Sequence, residues 1–220
     1  MREPAEHLAV FLADLARLVE GAAARDGSAA ADFRRFGELL QELRDAAMHA
    51  PEAAAPFALP VCRFWAPAFE MSGAPEPLAG IRRALRALGP WLAWVQNPNY
   101  RRSPPSADFL DRYGYAVIAG PADGAPALVG HAALALGVLL LGPHTHYPQH
   151  HHPAVELYVP LNAGDWWRGD GPWRREPAGA VIHHGSEVAH ATRAGDAPLL
   201  AIYLWSGDLG THARLTGTGS

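Results

Sequence analysis

Lysine is absent from the 220 residues: all 18 basic side chains are arginine. Schiff-base chemistry through a lysine and phosphate binding by a P-loop lysine are thereby excluded. Cysteine occurs once, at Cys62, so neither an intrachain disulfide nor a cysteine-rich zinc site can form. Among Pro60, Val61, Phe64 and Trp65 that thiol reads as a small buried apolar group. Charge is also sparse. A net charge of −4 and a pI near 6.3 leave no basic face for nucleic acid. Long apolar runs are missing: the longest, AALALGVLLLG at 132–142, is too short to cross a bilayer as a helix. The opening MREPAEHLAV mixes acids into its apolar residues and does not read as a signal peptide. These absences point to a cytoplasmic protein whose partner is a small molecule, not nucleic acid or membrane.

What is present is ordinary in bulk and uneven in order. About half the chain is apolar, 49%, which is too much for disorder. The length allows one substantial core, or one core with a helical appendage. Helical spacing recurs in Leu8, Phe11, Leu12, Leu15, Leu18 and Val19, and again in Phe33, Phe36, Leu40 and Leu43. Ile81, Leu85, Leu88, Leu92 and Val95 make a third stripe. PEAAAPFALP at 51–60 reads as the connection between the second and third.

From about residue 113 the texture changes. YAVIA, ALALGVLLL, VELYVPL, GAVIHH and LLAIYLW are separated by PADGAP, NAGD, GDGP, EPAG and RAGDAP. Short β-prone runs between Gly/Asp/Pro turns predict an all-β sandwich or barrel. The expected division is a helical part over 1–112 and a barrel over 113–220. The helical part either caps its own barrel or builds a homodimer.

Eight of the twelve histidines lie between 144 and 190, three of them consecutive in YPQHHHPAVELY at 147–158. Alternate side chains of a strand share a face. If 150–158 is extended, His150, His152, Glu156 and Tyr158 point one way, and His151 the other, as a surface residue. One strand cannot close a coordination sphere, and His190 in EVAHAT is the candidate from across the barrel. Three His and one Glu suit one divalent first-row ion: Zn, Fe, Mn, Co or Ni. His183 and His184, after the Pro177–Gly179 turn, are either donors behind the site or core packing.

This pattern resembles the cupin superfamily, whose first motif is matched by His150, His152, Glu156 and Gly164. The second is matched by Pro177–Gly179 and His190. Gly164 falls one position late, and the gap to His190 is long. The resemblance implies a mainly β chain with a C-terminal double-stranded β-helix, or jelly-roll barrel, behind a helical N-terminal part. A narrower resemblance, over about 113–209, is to the cupin-type lyases of dimethylsulfoniopropionate (DMSP), the DddL and DddQ types. It rests on Tyr147, five residues before His152, then Ala154, Glu156 and Tyr158, with Trp205 near the last strand.

That resemblance implies a metal-dependent β-elimination of a zwitterionic carboxylate substrate to dimethyl sulfide and acrylate. His150, His152, Glu156 and His190 would hold the metal, although whether His150 is a ligand stays open. Tyr158 would take the α-proton, with Tyr147 as substrate-seating residue or alternative base. Trp205 and Tyr147 would face the sulfonium. The competing readings are another metal-dependent cupin enzyme, a dioxygenase or isomerase on a small acid, and a ligand-sensing cupin without turnover.

Overall fold

The apolar stripes of the first half form helices α1 (Glu3–Ala23), α2 (Ala30–Ala47) and α3 (Leu78–Leu88). The computed structural model describes residues 3–24, 29–47, 58–70 and 74–216. Leu8, Phe11, Leu12, Leu15 and Val19 are buried on α1, as are Phe33, Phe36, Leu40 and Leu43 on α2. The third stripe breaks earlier than its spacing suggests. α3 stops at Leu88, where Gly89 and Pro90 follow and proline cannot continue the hydrogen-bond ladder. Leu92 therefore lies beyond the helix, and Trp94–Val95 form a short strand, β1. The connection expected over 51–60 lies outside the described residues except for its last three. Cys62 is half-buried, and the Leu59 amide donates to its sulfur at 3.3 Å.

Two short helices, α4 (Pro98–Arg102) and α5 (Phe109–Arg112), lead into the β-rich half. Its strands are β2 (Tyr113–Gly120), β3 (Ala127–Gly130), β4 (Ala135–Leu141), β5 (His146–His151) and β6 (Val155–Pro160). They continue as β7 (Gly164–Arg168), β8 (Arg174–Glu176), β9 (Ile182–His184), β10 (His190–Arg193), β11 (Leu199–Ser206) and β12 (Arg214–Leu215). One sheet runs β1-β2-β4-β11-β6-β9 with β3 beside β2, and the other runs β12-β5-β10-β7-β8. All pairings are antiparallel except β2–β3. The fold is mainly β, with a jelly-roll barrel behind N-terminal helices, as expected.

Strand periodicity divides the core into two. Leu136, Val138, Leu157, Val159, Leu200, Ile202 and Leu204 join the apolar residues of the three long helices in one cluster. Their alternates, including Leu139, Tyr158, Leu199, Ala201 and Tyr203, form a second cluster inside the barrel with Tyr147 and Trp166 of the other sheet. The first sheet is thus covered on both faces, which is why β4 and β11 read as unbroken apolar runs. Each fully buried Leu or Ile in that layer contributes about 1.5–3 kcal/mol, so the helices are held to the sheet by its outer face. Buried Arg82 of α3 adds a polar tie, donating to the Leu161 and Phe69 carbonyls. Among the described residues no helix is long and apolar enough to cross a membrane.

Candidate metal centre

The segment HHHPAVELY is not one strand. β5 ends at His151, β6 begins at Val155, and the two belong to different sheets. The continuous strand expected over 150–158 is broken at Pro153, which lacks a ladder donor and restricts the residue before it. Its polar residues still meet, because the chain passes from one inner face of the barrel to the other. β5 also carries an irregularity: His190 pairs with His150, but Thr192 pairs with Tyr147. The extra residue accommodates Pro148, which cannot donate in a central strand.

Glu156 is fully buried, and its Oε2 is the centre of the cluster. His152 Nε2 lies 3.2 Å from it and His190 Nε2 lies 3.1 Å from it. The backbone fixes which ring nitrogen carries the proton. His152 Nδ1 faces the Ala154 carbonyl at 3.0 Å, and His190 Nδ1 faces the Val188 carbonyl at 2.9 Å. A carbonyl only accepts, so each Nδ1 donates, and the neutral form of each ring presents a bare lone pair at Nε2. Two lone pairs then face a carboxylate oxygen with no proton to share. His190 Nε2 is buried without any hydrogen-bond partner.

Such a set is costly unless a cation enters it. Ligands around one first-row ion at about 2.1 Å stand about 3.0–3.4 Å apart, the spacing seen here. His152, Glu156 and His190 are therefore compatible with a metal, with one ligand atom from each lying within 4.8 Å of the others. Burial by itself pushes the Glu156 carboxyl up, but the imidazoles facing it, His152 first when that ring carries its second proton, outweigh burial and hold it well below the usual range; with both rings neutral, a cation would take that place.

His150, the other expected ligand, is buried beside this trio. Its Nδ1 donates to the Pro148 carbonyl at 2.8 Å, and its ring centre is 4.2 Å from that of His190 and 6.4 Å from that of His152. Burial, then His190, pulls its pKa well below the ordinary value, so the ring is neutral. His151 points outward and pairs with Glu187 at 2.7 Å, the surface position expected from its parity. His183 and His184 also separate. His183 reaches Asp32 of α2 at 2.8 Å, whereas His184 turns inward, with Nδ1 3.5 Å from Glu156 Oε2.

The expected tyrosines and tryptophan stand around the cluster. Tyr147 stacks on His150 at 4.0 Å, and its hydroxyl donates to that of Tyr100 at 3.1 Å. Tyr158 is buried, with its ring centre 5.8 Å from His184 and 6.3 Å from His190. Burial, and then the negative charge and hydrogen bonding of Glu156, push its phenol well above the ordinary value. Trp205 lies over His152 at 4.0 Å and donates its indole N–H to Glu156 Oε1 at 2.6 Å.

Tyr147, Tyr158, Glu156 and Trp205 line a cavity of about 110 Å³, together with Tyr113, Tyr115 and Tyr203. All six tyrosines of the chain belong to this aromatic cluster. The three just named and Tyr100 were not singled out from the sequence. The alternation of Tyr113 with Tyr115, and of Tyr203 with Trp205, was the available signal. Among the described residues no arginine lines the cavity, and Glu156 is the one carboxylate that does.

The family profile described as dimethylsulfoniopropionate lyase matches residues 32–201. The chain is 37% identical over 139 residues to the dimethylsulfoniopropionate lyase DddQ of Ruegeria pomeroyi. That stretch is 63% of this chain and 66% of the relative, so it spans just under two thirds of the relative's length. The crystal structure of DMSP lyase DddQ from Ruegeria pomeroyi is similar with a TM-score of 0.63 at 31% identity, covering 77% of this chain and 83% of that one. A chain from the crystal structures of DMSP lyases RdDddP and RnDddQII gives a TM-score of 0.65 at 26% identity, with coverages of 94% and 98%.

Proposed function

Because the chain belongs to the DMSP lyase family, we propose that it cleaves DMSP by β-elimination to dimethyl sulfide and acrylate. One observation carries the reading. Glu156 Oε2 meets two bare imidazole nitrogens at 3.1–3.2 Å on the wall of a tyrosine-lined cavity. His152, Glu156 and His190 would hold one divalent ion, Zn, Fe, Mn, Co or Ni, with His150 as a further nitrogen ligand. When bound, that ion supplies Lewis-acid stabilisation of the substrate carboxylate and a positive charge beside Tyr158.

The side chains then divide the work. Tyr158, as its anion, takes the proton next to the carboxylate. The electrons of that C–H bond form the new C=C bond, and the C–S bond breaks to release dimethyl sulfide. Tyr147, held by Tyr100, orients the substrate; it is the alternative base. The faces of Tyr147 and Trp205 attract the sulfonium by cation–π interaction. Helices α1, α2 and α3 brace the barrel from the outer face of its first sheet. The enzyme would work in the cytoplasm on a small-molecule partner.

The test is dimethyl sulfide release from DMSP by the purified protein without oxygen, with each of the five metals in turn. Release that is lost in Tyr158→Phe while metal stays bound supports both the reaction and the base. No release with any metal would remove DMSP as the substrate. An absolute need for oxygen would favour a dioxygenase instead.

A further inference from the structure

One buried imidazole has no task in this scheme. His184 is fully buried on β9, directly opposite Glu156 across the β6–β9 pairing. On the other side of Glu156, across the β6–β11 pairing, stands Trp205. The carboxylate therefore sits in the middle of a three-residue rung. Trp205 donates to Oε1, and His184 Nδ1 lies 3.5 Å from Oε2.

We infer that His184 is a positioning residue, donating Nδ1–H to Glu156 Oε2 so that the two cross-strand neighbours clamp the carboxylate between them. The inference rests on the metal reading of His152, Glu156 and His190. A neutral imidazole has one proton to place. On Nδ1 it serves the carboxylate. On Nε2 it would be a buried donor with nothing to accept it, since His184 Nε2 has no partner, and it would leave a lone pair against Oε2. The first placement is favoured.

The ring cannot easily turn away. It stacks on His190 at 4.0 Å with 16° between planes, and it meets the Tyr158 ring edge-on at 5.8 Å. The strand beneath it is anchored from outside. His183 pairs with Asp32 of α2, and Arg168 donates to the His183 carbonyl at 2.8 Å. Fixing both carboxylate oxygens keeps Oε2 turned toward the nitrogens of His152 and His190, so the ligand set is ready before a metal arrives.

Two variants separate a hydrogen-bond donor from a packed ring. His184→Phe keeps the shape and the stack but loses the donor. His184→Asn loses the ring but keeps an N–H near the place of Nδ1. Cobalt(II) affinity would be measured by competition with a chelator, alongside the visible absorption of the bound ion and thermal unfolding of each metal-free protein. His184→Phe should bind cobalt about tenfold or more weakly, as expected when a ligand loses its outer partner, with an altered spectrum. His184→Asn should stay close to the unsubstituted protein in both. Unchanged affinity and spectrum in His184→Phe, or equal loss in both variants, would overturn the inference. Failure of the unsubstituted protein to bind cobalt would overturn the metal reading beneath it, which is a separate result.

Discussion

The indole N–H of Trp205 donates to Glu156 Oε1 at 2.6 Å, and the two residues are direct partners across β11 and β6. A tryptophan in this place has two possible tasks, facing a cationic substrate or holding the carboxylate. Trp205→Phe separates them, because phenylalanine retains an aromatic face and loses the donor. A hydrogen bond to a buried charged group is worth about 1.5–3 kcal/mol. The variant should therefore unfold at lower temperature when metal-free, and should bind metal more weakly by about tenfold or more. If only its KM for DMSP rises and metal affinity holds, the indole serves the substrate alone.

Tyrosine ionisation should report the metal. Burial pushes the phenols of Tyr100, Tyr113, Tyr147, Tyr158 and Tyr203 up, and that of Tyr115 to about 12. A raised folded pKa favours the fold below the ordinary value near 10 and loses that contribution as pH rises past it. Metal-free protein titrated with alkali should thus show no tyrosinate absorbance until it unfolds. Adding zinc should bring one tyrosinate into view at lower pH, and Tyr158→Phe should abolish that signal. Its persistence in the variant would assign the anion to another tyrosine and weaken the case for Tyr158 as base.

Acid should act in the opposite sense. Burial, then His190, pulls His184 down to about 3 from an ordinary value of 6.5, and His150 is also pulled well down. Between the folded and ordinary values the unfolded chain holds a proton that the folded chain does not, so acid favours unfolding. Glu156, held below its ordinary 4.5, adds the same sign at lower pH. The unfolding temperature of metal-free protein should fall as pH drops from about 6.5 toward 3, and His184→Asn should flatten that decline. A flat profile in the unsubstituted protein would show that these groups do not control acid stability.

Three of the four candidate ligands, His152, Glu156 and His190, converge as the sequence suggested, with His150 beside them. Residue type and spacing were enough to name His150, His152, Glu156 and His190 as candidates. The route by which they converge was not legible. Parity along one strand suggested the shared face, yet Pro153 breaks that strand and two sheets supply the residues. His184 stayed ambiguous for a related reason: its meaning depends on the β6–β9 register, a long-range pairing that no local pattern encodes. The helical stripes were read well until Gly89–Pro90, where backbone chemistry cut across an apolar spacing that continued to Val95.

Gly137 offers a test of how the cavity wall is built. It lies between β2 and β11, pairing with Val117 on one side and Tyr203 on the other. A Cβ added there would stand 2.3 Å from the Ala116 carbonyl oxygen and 2.4 Å from the Tyr203 hydroxyl. The missing side chain thus lets the Tyr203 ring lie across its neighbour strand and face the cavity. Gly137→Ala should cost about 1–3 kcal/mol by overpacking, seen as a lower denaturation midpoint with an unchanged slope, and should displace Tyr203. Combining it with Tyr203→Phe removes the hydroxyl contact but leaves the backbone carbonyl and the ring carbon Cζ, 2.6 Å from that Cβ, in place. The double variant should therefore recover only part of the lost stability. Full recovery would mean that the hydroxyl alone requires the glycine, and that the aromatic ring and the strand at Ala116 can both yield.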